Sequence, residues 1–334
     1  MDELRMAVIG VGRIGLAHAE NLARHIRHAR LVAVTTSKPE RVTRVMHLPA
    51  DVRVFSTLEQ LLAEERLDAV VVASSTSAHT ENVERCAAAG VHIFCEKPLA
   101  LTLTDCDRAA AAITKAGVKL MIGHLRQFDP GHVEAKRLIE SGAIGQPVVF
   151  RAISGDVDPP LPEFADPEVS GGLILDSMYH DFYLGRWLMA DEITRVYGEG
   201  EALVDEGVLS VGDVDNAVVS LRFAGGAMGS LTASRVTRYG HDLRSEVIGD
   251  EGAVQIGCLR QTPVRLLDRR GVHHDMPRTT AERMSEALVA ELQAFVDCVI
   301  HDTESPVTFR DGRATVGVAV AATRSIHSGR PVDL

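Results

Sequence analysis

The first 122 residues alternate between two kinds of segment, and this alternation restricts the fold more than any other feature of the chain. Apolar runs rich in β-branched residues (Arg5–Gly10, Leu31–Thr35, Asp68–Ala73) are separated by segments of helical periodicity such as Ile14–His25. Such alternation is typical of βαβ units, whose parallel sheet is covered by helices on both faces. We therefore predict an α/β domain with a doubly wound, Rossmann-like parallel sheet in residues 1–122.

Residues 123–307 have a different pattern, in which strand candidates follow one another without helices between them. These candidates are Val148–Ser154, Ile193–Leu203, Ala217–Phe223, Ala227–Ser234, Arg244–Ile248 and Ala253–Ile256. Turn-like segments, AGG and GDEG, separate some of them. The pattern predicts an α+β domain with a large, mostly antiparallel open sheet and helices on one side. Long helices are predicted at Ala281–Ile300 and Gly312–Ser328.

The charge and cysteine content exclude several classes of protein. The chain has 35 basic and 46 acidic residues, a net charge of −11, whereas nucleic-acid and anionic-membrane partners need a basic surface. No apolar run approaches the roughly 18 residues of a membrane span. The N-terminal MDELRMAVIG lacks a basic region, so we expect no secretory signal. Five scattered cysteines without a CxxC predict neither disulfides nor zinc, and we expect a cytoplasmic protein.

A glycine motif follows the first predicted strand and begins the first predicted helix. It reads Gly10-Val-Gly12-Arg-Ile-Gly15, a GxGxxG. Glycines at these positions permit a tight turn and let the backbone approach a pyrophosphate at the helix N-terminus. An ordinary glycine-rich turn is the alternative, but the strand–turn–helix context favours dinucleotide binding.

A second motif, Cys95-Glu96-Lys97-Pro98, lies at the carboxyl end of the fifth predicted strand. Ligands of open α/β sheets bind at this edge. A solvated Glu–Lys pair before a proline is the alternative interpretation. At this edge Lys97 can stabilise a developing alkoxide and hold substrate hydroxyls.

The third motif lies in GGLILDSMYHDFYLGRWLM, residues 171 to 189, whose apolar content predicts one buried helix. Asp176 and His180 are four residues apart and therefore share a face of that helix. Buried carboxylates and imidazoles are costly unless they are paired or used. An imidazole beside a carboxylate can act as a general base near neutral pH. A capping aspartate and a satisfied core histidine are the alternative.

These motifs together carry a family resemblance over nearly the whole chain. GVGRIGLAHAENLAR, CEKPLALTLTD, GHLRQFDP, SGAIGQP and the 171–189 segment, in this order, resemble the Gfo/Idh/MocA oxidoreductases. Within the family the chain resembles the inositol 2-dehydrogenases through GRIG…HAENLA and SRVTRYGHDLRSEVIGDEGAV. The resemblance implies a nicotinamide-dependent enzyme that acts on cyclic polyols or sugars without a metal. It also implies that residues 308–334 return to the coenzyme domain.

The resemblance assigns roles to individual residues. Its catalytic residues match Lys97, Asp176 and His180. Substrate contacts are expected at Lys97, Leu125, Arg126, Asp156, Asp176, His180 and Tyr239. Coenzyme contacts are expected at Gly10, Gly12, Arg13, Ile14, Gly15, Thr36, Ser37, Lys38, Arg41, Ser74, Ser75, Thr76, His79, Glu96 and Lys97.

The end of the second predicted strand bears on the choice between NAD and NADP. NAD-dependent enzymes usually have an acid there, which binds the ribose hydroxyls and repels the extra phosphate of NADP. This chain has Thr36, Ser37, Lys38 and Arg41, which can accept a phosphate through charge-assisted hydrogen bonds. We expect NADP to be accepted, with use of both coenzymes left open. Solvated surface charges are the alternative.

Two further expectations concern function and assembly. The main alternative to a dehydrogenase is a non-catalytic sensor of a dinucleotide or sugar. The presence of Lys97, Asp176 and His180 together favours the enzyme, because a sensor needs no proton shuttle. The second face of the antiparallel sheet needs cover, and alternate positions in AVVSLRFAGGAMGSLTASRV are apolar. We therefore expect a homodimer or homotetramer that forms through this sheet.

Overall fold

The structure is a computed structural model that describes residues 3–38, 49–157, 165–257 and 264–334. The chain forms two compact units. Unit 1 comprises Met1–Leu125 and Glu286–Val316, and unit 2 comprises Arg126–Ser285 and Gly317–Leu334. The domain boundary near residue 122 and the return of residues 308–334 stay predictions.

Strands and helices are numbered separately, in chain order. The strands are β1 (Leu4–Ile9), β2 (Ala29–Thr35), β3 (Arg53–Phe55), β4 (Ala69–Val72), β5 (His92–Glu96), β6 (Leu120–Gly123), β7 (Pro147–Gly155), β8 (Ile193–Glu201), β9 (Asn216–Phe223), β10 (Met228–Ser234), β11 (Asp242–Gly249), β12 (Ala253–Gly257), β13 (Leu266–Asp268), β14 (Gly271–His273) and β15 (Val332–Asp333). The helices are α1 (Arg13–Arg24), α2 (Leu58–Glu64), α3 (His79–Ala88), α4 (Leu103–Ala116), α5 (Pro130–Glu140), α6 (Pro167–Ser170), α7 (Gly172–Asp176), α8 (Tyr179–Met189), α9 (Glu206–Ser210), α10 (Thr280–Arg283), α11 (Ser285–Ile300) and α12 (Phe309–Ser328). None of these helices is both long and apolar enough to cross a membrane.

Unit 1 contains the predicted parallel sheet. Its six strands lie in the order β3-β2-β1-β4-β5-β6, and each adjacent pair is parallel. The central strand β4 is buried at all four residues, as expected when helices cover both faces of a sheet. The sequence-based prediction of this fold is confirmed.

Local chemistry sets the helix ends in unit 1. The Thr57 hydroxyl accepts a hydrogen bond from the Gln60 amide at the start of α2, and Thr102 does the same for Asp105 at the start of α4. Such caps satisfy amides that have no partner within the helix. Gly117 ends α4 with a φ of +67°, a left-handed value that favours glycine.

Unit 2 contains a seven-stranded sheet in the order β12-β11-β7-β10-β9-β8-β15. Its neighbours are antiparallel except β7 and β10, which run parallel with Gly155 opposite Ser234. The parallel pair brings the carboxyl ends of β7 and β10 to one edge of the sheet. The predicted mostly antiparallel sheet is confirmed.

The prediction of one helix over residues 171–189 is wrong. The segment forms two helices, α7 and α8, and the Ser177 and Met178 amides both donate to the Leu173 carbonyl. A bond from residue i+5 widens the turn and ends the regular i→i−4 ladder. Apolar periodicity did not reveal this break, because residues on both sides of it are buried.

Other differences are confined to short elements. The hairpin β13–β14 and the two-residue strand β15 have no counterpart among the predicted strands. They are too short for a period-two pattern to appear in the sequence. The helix predicted to start near Pro39 lies outside the described residues.

The two faces of β9 and β10 alternate as a half-buried sheet requires. In Asn216–Phe223 the residues Ala217, Val219, Leu221 and Phe223 are buried, while those between them are exposed or half-buried. Exposed side chains on this sheet include Val218 and Met228. The face predicted as a subunit interface therefore carries apolar groups among polar ones.

Candidate active site

The glycine motif of unit 1 has the geometry of a phosphate-binding turn. Gly10 has a φ of +88°, and a Cβ there would lie 2.7 Å from the Cα of Ser74. A Cβ on Gly15 would lie 1.9 Å from the carbonyl oxygen of Gly10, so α1 contacts the turn directly. A Cβ on Gly12 would meet no described atom within 4 Å. This space, at the N-terminus of α1, fits a pyrophosphate that approaches the backbone.

The predicted contacts Arg13 and Ile14 are the first two residues of α1. Arg13 is exposed and Ile14 is half-buried. They lie directly beside the open space over Gly12, where the amides of the first helical turn have no partner within the helix.

A second group of predicted coenzyme residues follows β4. Ser74, Ser75 and Thr76 are exposed or half-buried, whereas His79 is buried. The ring of His79 lies between two backbone carbonyl oxygens, 2.8 Å from that of Pro98 and 3.2 Å from that of Ser74. Burial lowers the pKa of His79. This histidine therefore ties the loop after β4 to the loop after β5.

The residues predicted to select the coenzyme follow β2. Thr36 donates its amide to the Phe55 carbonyl, and its hydroxyl accepts from the Lys38 amide at 3.0 Å. Ser37 and Lys38 are exposed. Arg41 lies outside the described residues. The described part of this loop therefore presents hydroxyls and one cation.

The Glu96–Lys97 motif lies at the carboxyl end of β5, as predicted. Glu96 is the last residue of the strand and is buried, with its Oε1 2.6 Å from Nε2 of His18. Its Oε2 accepts the backbone amide of Lys97 at 3.2 Å. Lys97 is half-buried, and the Lys97–Pro98 peptide is cis.

In unit 2 the helix break changes the setting of the predicted acid–base pair. Asp176 ends α7 and is half-exposed, with 41% of its side chain accessible, whereas His180 in α8 is 8% exposed. The expectation that both residues are buried on one helical face is wrong. The break at Ser177–Met178 turns the chain between them.

Asp176 faces a buried guanidinium. Arg235, which follows β10 and is 1% exposed, has its Nη2 3.7 Å from Oδ2 of Asp176. Its Nη1 donates to Oδ2 of Asp213 at 2.7 Å. Both carboxylate oxygens of Asp213 accept the amide of Leu173, at 3.0 Å and 3.2 Å. Asp213 and Arg235 therefore hold α7 at its first turn and at its last residue.

Asp156 lies directly after β7, beside the end of β10. Its Oδ2 accepts the hydroxyl of Ser177 at 3.2 Å, and its Oδ1 lies 3.2 Å from Nδ1 of His241. Burial alone would raise the pKa of Asp156, but the bonds from His241 and Ser177 lower it below its usual value. The structure thus joins a predicted substrate residue to the helix break.

The remaining predicted substrate residues have different environments. Leu125 is buried, and the Arg126 guanidinium donates to Oδ1 of the buried Asp181 at 2.7 Å and to the Ser154 hydroxyl. The donors of Arg126 are thus directed into the protein. Tyr239 is exposed, and its hydroxyl donates to Asp242.

Two family models match the chain, one in each half. Residues 4–124 match the model of an oxidoreductase family with an NAD-binding Rossmann fold, and residues 132–255 match the GFO/IDH/MocA C-terminal domain. The chain is 36% identical over 332 residues to scyllo-inositol 2-dehydrogenase (NAD(+)) of Bacillus subtilis (strain 168), covering 99% of this chain and 96% of that protein. It is 38% identical over 332 residues to myo-inositol 2-dehydrogenase of Thermotoga maritima, covering 99% and 98%.

The chain belongs to the Gfo/Idh/MocA oxidoreductase family. Membership confirms the predicted family, the enzyme class of oxidoreductase and an NAD-binding Rossmann domain. The fold is also similar to the crystal structure of scyllo-inositol dehydrogenase from Lactobacillus casei with bound NAD(H) and scyllo-inositol. The TM-score is 0.92 at 26% identity, over 99% of each chain.

Sequence reasoning missed several ionisable residues that lie beside the predicted site residues of this Gfo/Idh/MocA member. They are His18, Asp213, Arg235, His241 and Glu291. A signal was present for Glu291, which lies among Leu288, Leu292 and Phe295 on the apolar side of a predicted helix. Arg235 carried no comparable signal, because its partners are distant in sequence.

Proposed function

We propose that the protein is an NAD-dependent dehydrogenase that oxidises a secondary ring hydroxyl of an inositol-like cyclic polyol to the ketone, or catalyses the reverse reduction. The observation that carries this proposal is the identity of 36% and 38% to two inositol 2-dehydrogenases over 99% of the chain. The structure bound to NAD(H) and scyllo-inositol, with a TM-score of 0.92, supports it.

The fit of the coenzyme rests on the glycine turn of unit 1. The positions of Gly10, Gly12 and Gly15 leave the backbone accessible at the N-terminus of α1, so this turn would hold the pyrophosphate. When bound, the nicotinamide supplies the hydride acceptor for the oxidised carbon.

Each proposed catalytic residue has a chemical task. His180 accepts the proton of the substrate hydroxyl, since an imidazole is the side chain best suited to this near neutral pH. Lys97 stabilises the developing alkoxide with its positive charge. Asp176 orients the substrate or the imidazole, and Arg235 fixes the carboxylate 3.7 Å from its guanidinium.

Polyol recognition requires acceptors and donors that match several hydroxyl groups. We assign this task to Asp156, Tyr239 and Lys97, with Leu125 and Arg126 as further substrate contacts. Asp156 is suited to it because its carboxylate is half-exposed and held by Ser177 and His241. A carboxylate that accepts hydrogen bonds from two substrate hydroxyls provides geometric selectivity between inositol isomers.

Three finer points belong to the same proposal. NADP is accepted beside NAD, because Thr36, Ser37 and Lys38 offer hydroxyls and a cation at the end of β2. The exposed face of the unit 2 sheet, with Val218 and Met228, forms a homodimer or homotetramer interface. The four described cysteines are buried and unpaired, which supports a cytoplasmic location.

The experiment is coenzyme reduction, followed by absorbance, across inositol isomers and pyranoses with NAD and NADP. We expect reduction with at least one inositol isomer and a smaller rate with pyranoses. Binding of coenzyme without reduction by any polyol or sugar would contradict the proposal and favour a non-catalytic sensor of the same fold.

A further inference from the structure

A buried acidic cluster lies behind the Glu96–Lys97 motif of unit 1. It consists of His18 on α1, Glu96 on β5 and Glu291 on α11, and we call it the acid cluster. One nitrogen or oxygen atom of each residue lies within 4.8 Å of those of the other two. His18 and Glu291 are completely buried, and Glu96 is 7% exposed.

Glu96 connects the acid cluster to Lys97. Its Oε1 faces His18 and its Oε2 accepts the backbone amide of Lys97. A Cβ on Gly123, the neighbour of Glu96 on β6, would lie 3.3 Å from that same Oε2. Glycine at position 123 therefore leaves the space that this carboxylate occupies, and the bond from the Lys97 amide couples the carboxylate to the backbone of Lys97.

Glu291 differs from Glu96 in that both of its carboxylate oxygens are buried and lack a hydrogen-bond partner among the described residues. Within the described chain, the charge that acts on it is that of Glu96, which has the same sign. Two buried carboxylates without a cation beside them cannot both be charged at moderate cost.

We propose that Glu291 is a neutral carboxylic acid at neutral pH, that it and His18 hold the charged Glu96 in place, and that Glu291 is thereby a positioning residue for Lys97. A proton on Glu291 removes the repulsion that two like charges would have in this buried pair. Burial and the charge of Glu96 both raise the pKa of Glu291 well above its ordinary value of 4.5.

The neighbouring groups agree with a proton that resides on Glu291. Nδ1 of His18 has no partner within the described chain, so an imidazolium would bury an N–H without an acceptor. Burial raises the pKa of the adjacent Cys95 thiol well above its usual value, which keeps that group neutral.

The first test follows urea unfolding of the full chain against pH in wild type and Glu291→Gln. The unfolded chain releases the Glu291 proton above pH 4.5 while the folded chain retains it, so the stabilising contribution is lost as pH rises. The ratio of the two unfolding constants should change by up to about tenfold per pH unit, and by at least about tenfold between pH 5 and 7.

The matched control is Glu286→Gln, the same substitution at an exposed position of α11. It should leave the ratio constant. If the ratio of unfolding constants for Glu291→Gln and wild type also stays constant with pH, Glu291 is not a neutral acid in the folded chain. If that variant does not fold, infrared spectra of the wild type with ¹³C-labelled glutamate carboxyls decide, because a protonated glutamate at neutral pH has a carbonyl band that shifts with the label. Absence of a label-sensitive band would overturn the neutral acid.

A bound cation is the competing explanation for three such ligands. Elemental analysis of the dialysed wild type should find no stoichiometric metal. A stoichiometric ion that Glu291→Gln loses would overturn the neutral acid and assign a metal site to these residues.

The positioning role rests on the proposed function and is tested separately by kinetics. Glu291→Gln keeps an uncharged side chain of the same shape, so kcat should stay within about threefold of wild type. Glu291→Leu should lower kcat by at least about tenfold with unchanged coenzyme Kd. Equal kcat in both variants would restrict Glu291 to stability. Absence of turnover in wild type would reject the dehydrogenase and the role assigned to Lys97. The unfolding measurement would still show whether Glu291 is protonated in the folded chain.

Discussion

The two units differ in the buried ionisable groups that lie next to their proposed catalytic residues. In unit 1, Lys97 follows a cluster of two buried glutamates, Glu96 and Glu291, with the imidazole of His18 as its third member. In unit 2, the half-exposed Asp176 lies in front of Arg235, a buried guanidinium bonded to Asp213. Carboxyl groups therefore lie next to the lysine in unit 1, whereas a guanidinium lies next to the aspartate in unit 2.

The pKa shifts of Asp213 and Glu291 have different causes. Burial raises the pKa of Asp213, but the charge of Arg235 opposes this shift. For Glu291 burial and the neighbouring Glu96 act in the same direction. On the proposal above, a proton neutralises the buried Glu291 in unit 1, whereas a guanidinium faces the buried Asp213 in unit 2, so substitutions should affect the two units differently.

The largest expected effect is on turnover. Lys97→Ala and His180→Ala should each lower kcat by at least about 100-fold, because each removes a group that acts on the reacting hydroxyl. Both variants should still bind the coenzyme, which fluorescence titration measures. Lys115→Ala, at an exposed lysine of α4, is the matched control. Full turnover in either variant would remove that residue from the mechanism.

The second prediction concerns a variant that removes the ion pair between Arg235 and Asp213 in unit 2. Arg235→Met leaves Asp213 buried without its cation, which should lower the free energy of unfolding by about 3–5 kcal/mol. The measurement is urea unfolding at neutral pH. Arg195→Met removes the exposed partner of Asp333 and should have little effect.

The double variant Arg235→Met with Asp213→Asn tests whether the unpaired charge of Asp213 causes the loss of stability. It removes the unpaired charge, so it should recover part of the lost stability, and the loss in Arg235→Met alone should become smaller at acid pH. An Arg235→Met protein as stable as wild type would show that Asp213 does not need the guanidinium.

The smallest expected effect concerns the coenzyme site of unit 1. Thr36→Asp should shift the kcat/KM ratio at least about tenfold towards NAD, because a carboxylate repels the extra phosphate of NADP. Thr36→Asn has the same shape without the charge and serves as the control. If wild type uses NAD alone and Thr36→Asp changes nothing, the proposed phosphate contact is wrong.

Much of unit 1 could be predicted because its signals are local. The strand–helix alternation and the spacing of Gly10, Gly12 and Gly15 each depend on neighbouring residues, and the structure has the predicted strand, turn and helix. Periodicity also indicated most strands of unit 2. These patterns follow from burial, which sequence records directly.

The side-chain environments could not be predicted in the same way. Arg126 is bonded to Asp181, 55 residues away, and Asp213 is bonded to the amide of Leu173, 40 residues away. Such pairs depend on how strands and helices meet. The break at Ser177 was also hidden, since a widened turn keeps the apolar residues around it buried.

Hydride transfer from a ring carbon of a polyol to the nicotinamide is the reaction that we propose for this chain. The most direct measurement is mass spectrometry of the reduced coenzyme after reaction with inositol that carries deuterium at every ring carbon. We predict one deuterium in each reduced coenzyme molecule and an equal amount of ketone. A reduced coenzyme without deuterium, or no reduction with any inositol isomer, would contradict the account.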